Sequence, residues 1–241
     1  TLLEIAQEAG DERVRRGVTG RPLIWQMDKR AIDEDLDRWY GYEVREAERS
    51  GMLPGAFEAR FGKLTYGPDE EDTTLSTDEP LTLHAAGREM RLLGRIDRID
   101  WDAERARFRV IDYKTGVFHA KKFLDRGESL QLPIYLHAAA RMLGLPPAAG
   151  EAQYFYATSR GGFKRQTVSG EAMRAGGESF ERVLATVADG VDSGYFAPNP
   201  AHDHCRFCDY KDVCDVSIEK IMERKAGDAR GAAYRALEEI E

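Results

Sequence analysis

Several residue patterns that mark whole classes of protein are missing from this chain. No apolar run approaches the roughly 18 residues of a membrane-spanning helix, and no signal peptide stands at the first residue. Histidine is absent before His84 and cysteine before Cys205. The cysteines, Cys205, Cys208 and Cys214, are crowded into one short stretch. An odd, clustered set does not build the disulfide framework of a secreted domain, and it fits metal ligation in a reducing cytoplasm. Positive charge is also short: 35 Lys and Arg against 43 Asp and Glu leave a net charge of −8. That balance argues against a passive nucleic-acid coat, which binds by neutralising phosphates. Repeats and low-complexity tracts are lacking too.

What remains is an ordinary soluble composition, 42% hydrophobic and 32% charged, over 241 residues, long enough to bury a sizeable core. The sequence opens on Thr1 rather than Met, so a piece cut from a longer protein is expected. Charge is uneven along it. Asp69, Glu70, Glu71, Asp72, Asp78 and Glu79 form an acidic stretch, and Arg105, Arg107, Arg109, Lys114, Lys121, Lys122 and Arg126 a basic one. Solvated loops account for such runs as readily as a binding surface does, yet local positive charge lets an acidic protein process DNA.

Residues 1–50 read as helical, with Leu23, Ile24, Trp25, Ile32, Leu36, Trp39 and Tyr40 forming a stripe expected to face the core. Glycines and a proline over 50–55 break the pattern. Residues 57–62 suit a short strand, and Glu58 within it is a candidate site residue. From Leu81 the period becomes two: 81–84, 90–101 and 107–113 read as strands, the last two as a hairpin turning at 102–105. Residues 129–143 read as a helix with Ser129 as N-cap, Pro133 in the first turn and Gly144 beyond its end. Another strand pair, 153–158 and 163–168, precedes a helix over 171–191, an irregular Pro/His/Cys segment and a final charged helix. The order predicts an α/β fold, a central mixed sheet with helices packed on it behind a helical N-terminal region. The division expected is 1–56 helical, 57–200 the core, and 201–241 the cysteine cluster and last helix.

Two runs carry chemistry: GRIDRID over 94–100 and DYK over 112–114. Alternation puts Asp112 and Lys114 on one face of a strand and Tyr113 on the other. The hairpin sets Asp97 and Asp112 within about two residues of opposing register. Two carboxylates that close repel unless a cation lies between them. Magnesium suits oxygen ligands and retains waters, one of which can become the attacking nucleophile. Lys114 beside it would assist that water and offset charge developing on a phosphate. Cross-strand ion pairing among Asp97, Arg98, Asp112 and Lys114 is the plainer alternative. Ile96, Ile99, Val110 and Ile111 make both strands read as interior, where an acidic pair needs a partner.

With Gln131 and Tyr135 added as Q-x-x-x-Y, the pattern G-x-x-D, D-x-K, Q-x-x-x-Y resembles the PD-(D/E)xK nuclease superfamily in its RecB-like branch. The stretch GRIDRID…VIDYKTG…LQLPIY most resembles the C-terminal nuclease domain of AddB-type helicase–nuclease subunits. The resemblance implies a restriction-endonuclease-like core and a Mg²⁺- or Mn²⁺-dependent deoxyribonuclease, an exonuclease serving double-strand-break repair with a helicase subunit or domain as partner. It implies metal binding by Asp97, Asp112 and the Tyr113 carbonyl, with Lys114 catalytic. Gln131 and Tyr135, sharing a helix face at i and i+4, would orient the lysine or contact DNA. The family's metal-binding histidine, which precedes the second motif, maps onto no residue here. A catalytically incomplete module that binds DNA or a helicase subunit is therefore the alternative.

Thiolates at 205, 208 and 214 select zinc or iron–sulfur over magnesium. With His202 or His204 they would close a Cys₃His zinc site, making a zinc-stabilised interaction domain a further reading; otherwise they are three ligands of a [4Fe–4S] cluster. AddB-type domains resemble this chain in carrying C-x₂-C-x₅-C after the core, with a fourth cysteine far upstream. That resemblance implies a structural [4Fe–4S] cluster in the intact parent protein.

Overall fold

The computed structural model describes residues 1–63, 75–102, 104, 106–196, 205, 208–214 and 218–240. The acidic residues 69–72, Arg105, His202 and His204 lie outside the described residues. Two helices open the chain. Thr1 caps α1 (Leu2–Arg15) through a capping box with Glu4. Helix α2 (Pro22–Ser50) starts on a proline, whose missing N–H costs nothing there, and stops at Gly51 in the left-handed region, φ 68°.

The apolar stripe expected to be core is covered only in part, with Trp25, Leu36 and Trp39 half-buried. No residue of α2 is buried, and Leu23 is 69% exposed; Ile24, Ile32 and Tyr40 are exposed too. Helical periodicity shows which side of a helix would be buried, not whether anything covers it. Trp25 meets α1 at Gly10, where an added Cβ would lie 3.2 Å from the indole. Beyond that contact two helices alone cannot enclose a stripe this long. The C-terminal half of α2 reaches the sheet through Trp39, Glu43 and Glu46.

That sheet contains β1 (Leu53–Phe61), β4 (Gly94–Asp102), β5 (Arg107–Lys114), β6 (Gly150–Tyr156) and β7 (Arg165–Ser169), in the order β1-β4-β5-β6-β7. All neighbours are antiparallel except β5 and β6. A parallel pair needs a crossover, and α3 (Gln131–Leu143) supplies it, packing on both strands. Helix α3 begins two residues after the expected cap Ser129 and ends at Gly144, φ 67°. The mixed sheet flanked by helices is as expected. Phe61, Ile96, Ile99, Phe108, Val110, Ile111, Leu132, Leu136 and Phe155 are fully buried around it. Each such side chain contributes about 1.5–3 kcal/mol of burial.

The single strand expected over 90–101 is two. Strand β3 (Arg88–Leu92) pairs with β2 (Leu81–Ala85) in a separate two-stranded sheet, turning at Ala86–Gly87 with both φ positive. The break before β4 falls where the backbone must approach β1 closely: a Cβ on Gly94 would sit 2.5 Å from the Phe61 ring.

The chain divides into two compact units. One holds Thr1–Leu81, Leu93–Ala120 and Gln131–Arg174, and with them the five-stranded sheet; the other holds Thr82–Leu92, Lys121–Leu130 and Ala175–Glu241. In the second, α5 (Gly177–Ser193) buries Phe180, Val183, Leu184 and Ala188, and Arg88 pairs with Asp189 and Asp192 of that helix. The helix expected over 171–191 breaks at Gly176, which separates α4 (Gly170–Ala175) from α5. The single final charged helix expected is instead two short ones, α6 (Ile218–Arg224) and α7 (Ala232–Arg235), with 3₁₀ turns at 229–231 and 236–239.

Candidate active site

The β4–β5 ladder runs from Asp102↔Arg107 to Arg98↔Ile111. One further step along that register sets Asp97 across from Asp112. Strand alternation then puts Asp97 and Ile99 on one face with Val110, Asp112 and Lys114, while Arg98 and Asp100 share the other with Arg109, Ile111 and Tyr113. Helix α3 packs over the first face through Gln131, and α2 over the second through Glu43 and Glu46.

On the α3 face the sequence-predicted residues come together. The Asp97 carboxylate accepts the Tyr113 N–H at 2.8 Å. Asp112 is 3% exposed. Its Oδ1 accepts from Gln131 Nε2 at 2.6 Å, and its Oδ2 is ion-paired with the Lys114 ammonium. Gln131 also takes a hydrogen bond from Lys114 through Oε1 at 3.2 Å and lies 3.3 Å from the Tyr135 hydroxyl. Lys114 Nζ stands 5.0 Å above the Tyr154 ring, a partner unforeseen in the sequence. Burial pushes the Asp112 carboxyl above the usual range, against the pull of Lys114 and with the charge of Asp97 adding to the rise. Burial likewise raises the Tyr135 phenol.

Asp112 Oδ2 is closed off from solvent, with the Lys114 ammonium as its partner. An N–H and C=O of one strand residue point to the same side. Since the Tyr113 N–H is directed at Asp97, its carbonyl faces that edge as well. Two carboxylates and a backbone carbonyl form an all-oxygen donor set, which suits a hard divalent cation that keeps several waters. Among the described residues no group of three or more His, Cys, Asp or Glu side chains is arranged to hold a metal.

The other face carries charges that sequence reading missed. Arg98 Nε and Nη2 donate to Asp100 at 2.5 and 2.7 Å, and Nη1 donates to the Tyr113 hydroxyl at 2.8 Å and to Glu43. Arg109 pairs with Glu46 at 2.7 Å and Glu151 at 2.5 Å, and Arg165 with Glu43 and Glu46, both at 3.1 Å. The expected ion pair joining Arg98 to the Asp112 face is not made, because alternation sends Arg98 to the opposite side. Nor do the basic residues around DYK make one surface, since Arg109 is buried among glutamates. A signal existed: Trp39, Glu43 and Glu46 recur four and three residues apart on α2, two acids in an otherwise core-directed row.

Glu58 lies in β1 with φ 51°, exposed, its carboxylate 3.1 Å from Arg95. Cys205 and Cys214 are exposed and Cys208 is half-buried, its sulfur accepting the Tyr210 N–H at 3.4 Å. The thiols do not converge into a ready ligand set among the described residues.

A model of the PD-(D/E)XK nuclease superfamily matches residues 2–215. The chain belongs to that superfamily. No curated protein matches it. As a PD-(D/E)XK superfamily protein it has the restriction-endonuclease-like α/β fold in its mixed five-stranded sheet, and its class is that of a nuclease acting on DNA. PD-(D/E)XK nucleases generally use divalent metal ions. No helix among the described residues is long and apolar enough to cross a membrane.

Proposed function

We propose that this PD-(D/E)XK domain hydrolyses DNA phosphodiester bonds at the Asp97–Asp112 pair, with Mg²⁺ or Mn²⁺ held by both carboxylates and the Tyr113 carbonyl. The observation that carries this reading is the buried Asp112 carboxylate set opposite Asp97, an acid with no ion pair among the described residues. A bound cation there supplies Lewis acidity toward the scissile phosphate and makes the attacking water more acidic. Lys114 orients that water and takes up part of the negative charge gathering on the phosphate. Gln131 spans Asp112 and Lys114 and fixes their separation, and Tyr135 steadies Gln131.

By the same reading the domain is the exonuclease module of a cytoplasmic, AddB-type helicase–nuclease in double-strand-break repair, working with a helicase subunit or domain. Cys205, Cys208 and Cys214 are then three ligands of a structural [4Fe–4S] cluster whose fourth ligand lies elsewhere. One observation favours a second reading, a module that binds DNA without cutting: no third side-chain ligand joins the acidic pair among the described residues.

Linear DNA incubated with the protein and Mg²⁺ or Mn²⁺ separates the two. The nuclease reading expects cleavage that a chelator stops and that Asp112→Ala abolishes with the fold intact. Binding without cleavage at stoichiometric protein supports the second, and undiminished cleavage by Asp112→Ala sinks the assignment of the site.

A further inference from the structure

The β4–β5 ladder gives out where the acidic pair begins. Its last paired residues are Arg98 and Ile111, so nothing in the backbone ladder ties residues 112–114 to β4. Two side-chain bonds do that instead, and both end on Tyr113. On the α3 face Asp97 accepts the Tyr113 N–H. On the α2 face Arg98 donates to the Tyr113 hydroxyl at 2.8 Å. Tyr113 is thus gripped from both sides of the sheet, between the two residues that the active-site reading needs in place.

Arg98 is itself immobilised. Its fork engages both oxygens of Asp100, and the remaining nitrogen serves Glu43 and Tyr113 together. Only a planar guanidinium can hold both oxygens of one carboxylate through one edge and keep its other nitrogen aimed at a second carboxylate and a phenol. The arginine and both carboxylates are almost wholly shielded from solvent. The Tyr113 ring is fixed as well, edge-on to Trp39 at 6.2 Å and tilted against Phe155 at 5.9 Å.

We propose that Arg98, anchored by Asp100 and Glu43, is a positioning residue that holds Tyr113 from behind the sheet and so sets Asp112, Lys114 and the Tyr113 carbonyl for the cation. This rests on the reading that Asp97 and Asp112 bind a divalent metal. Outer partners of metal ligands act by fixing ligand orientation, and losing one costs about tenfold or more in metal affinity. Arg98 reaches that role through the intervening tyrosine and touches no metal ligand side chain.

The test is Mn²⁺ titration followed by electron paramagnetic resonance, without DNA, on the parent, Tyr113→Phe, Arg98→Lys and Asp112→Asn. Tyr113→Phe removes a single oxygen and leaves Arg98 its carboxylate partners, so its metal-free melting is expected to stay close to the parent's. Its Mn²⁺ affinity is expected to fall about tenfold, with kcat reduced and KM for DNA little changed. Arg98→Lys keeps the charge but not the fork and is expected to fall at least as far. A Tyr113→Phe protein that binds Mn²⁺ as the parent does, while Asp112→Asn does not, overturns the positioning role and leaves the metal site standing. Parental Mn²⁺ binding by Asp112→Asn overturns both.

Discussion

The two faces of the central sheet carry charge in opposite ways. On the α2 side every buried ion has its counterpart: Arg98 with Asp100 and Glu43, Arg109 with Glu46 and Glu151, Arg165 with both helix glutamates. On the α3 side Asp112, just as deeply buried, has one ammonium, Lys114, and the carboxylate beside it, Asp97, has no ion pair among the described residues. A saturated network fixes geometry, and removing any member leaves an uncompensated charge. An unsaturated one is costly in isolation and persists where something outside the chain completes it. The same few residues of β4 and β5 build both, since alternation sends neighbours to opposite sides.

The largest effect expected from breaking this contrast is at Asp112. Asp112→Asn should abolish metal-dependent DNA cleavage without unfolding the domain. The sign of its effect on stability follows from burial. The native state keeps the Asp112 proton to a higher pH than the unfolded chain does, so it binds more protons in that window and stability falls as pH rises through it. Metal-free parent protein should therefore lose stability as pH rises above the ordinary carboxylate range. Asp112→Asn should lack that loss, as thermal melting across pH would show.

Lys114→Met comes next. Cleavage should drop by about 10²–10⁴ if the ammonium serves the water and the phosphate. Mn²⁺ binding should hold or tighten, because a competing cation leaves Asp112. Single-turnover rates and Mn²⁺ titration read the two effects separately. On the saturated face the expected loss is one of stability instead. Asp100→Ala breaks the buried two-oxygen pair with Arg98, leaving it Glu43 alone as carboxylate partner, and should cost about 3–5 kcal/mol in denaturant unfolding. Gln131→Leu frees Asp112 and Lys114 from their common bridge, and cleavage should fall about tenfold with little change in unfolding.

The smallest effect should be outside the sheet altogether. Glu12 and Arg15 make an exposed pair on α1, and Glu12→Ala should change stability by less than about 1 kcal/mol. A large change there would mean that the exposed apolar residues of α1 and α2 are coupled to the core after all.

The unsaturated face was legible in the sequence and the saturated one was not, for a physical reason. Asp97, Asp112 and Lys114 lie on one hairpin, where a period of two and a short turn nearly fix the register, and Gln131 and Tyr135 are one helical turn apart. The saturated network draws Glu43 and Glu46 from α2, Arg98 and Asp100 from β4, Arg109 from β5, Glu151 from β6 and Arg165 from β7. Such pairings follow only from the order of strands. The misread stripe at Leu23, Ile24 and Ile32 has the same origin, since local spacing says nothing about which element arrives to cover it. The strand expected over 90–101 failed more locally, at a glycine whose close approach to Phe61 no periodicity reveals.

The most direct measurement is anomalous diffraction from crystals grown with Mn²⁺. The account predicts a manganese peak in contact with the Asp97 and Asp112 carboxylates, near the Tyr113 carbonyl, and no such peak in Asp112→Asn. Manganese bound elsewhere, with the Asp112 carboxylate held only by Gln131 and Lys114, would contradict it.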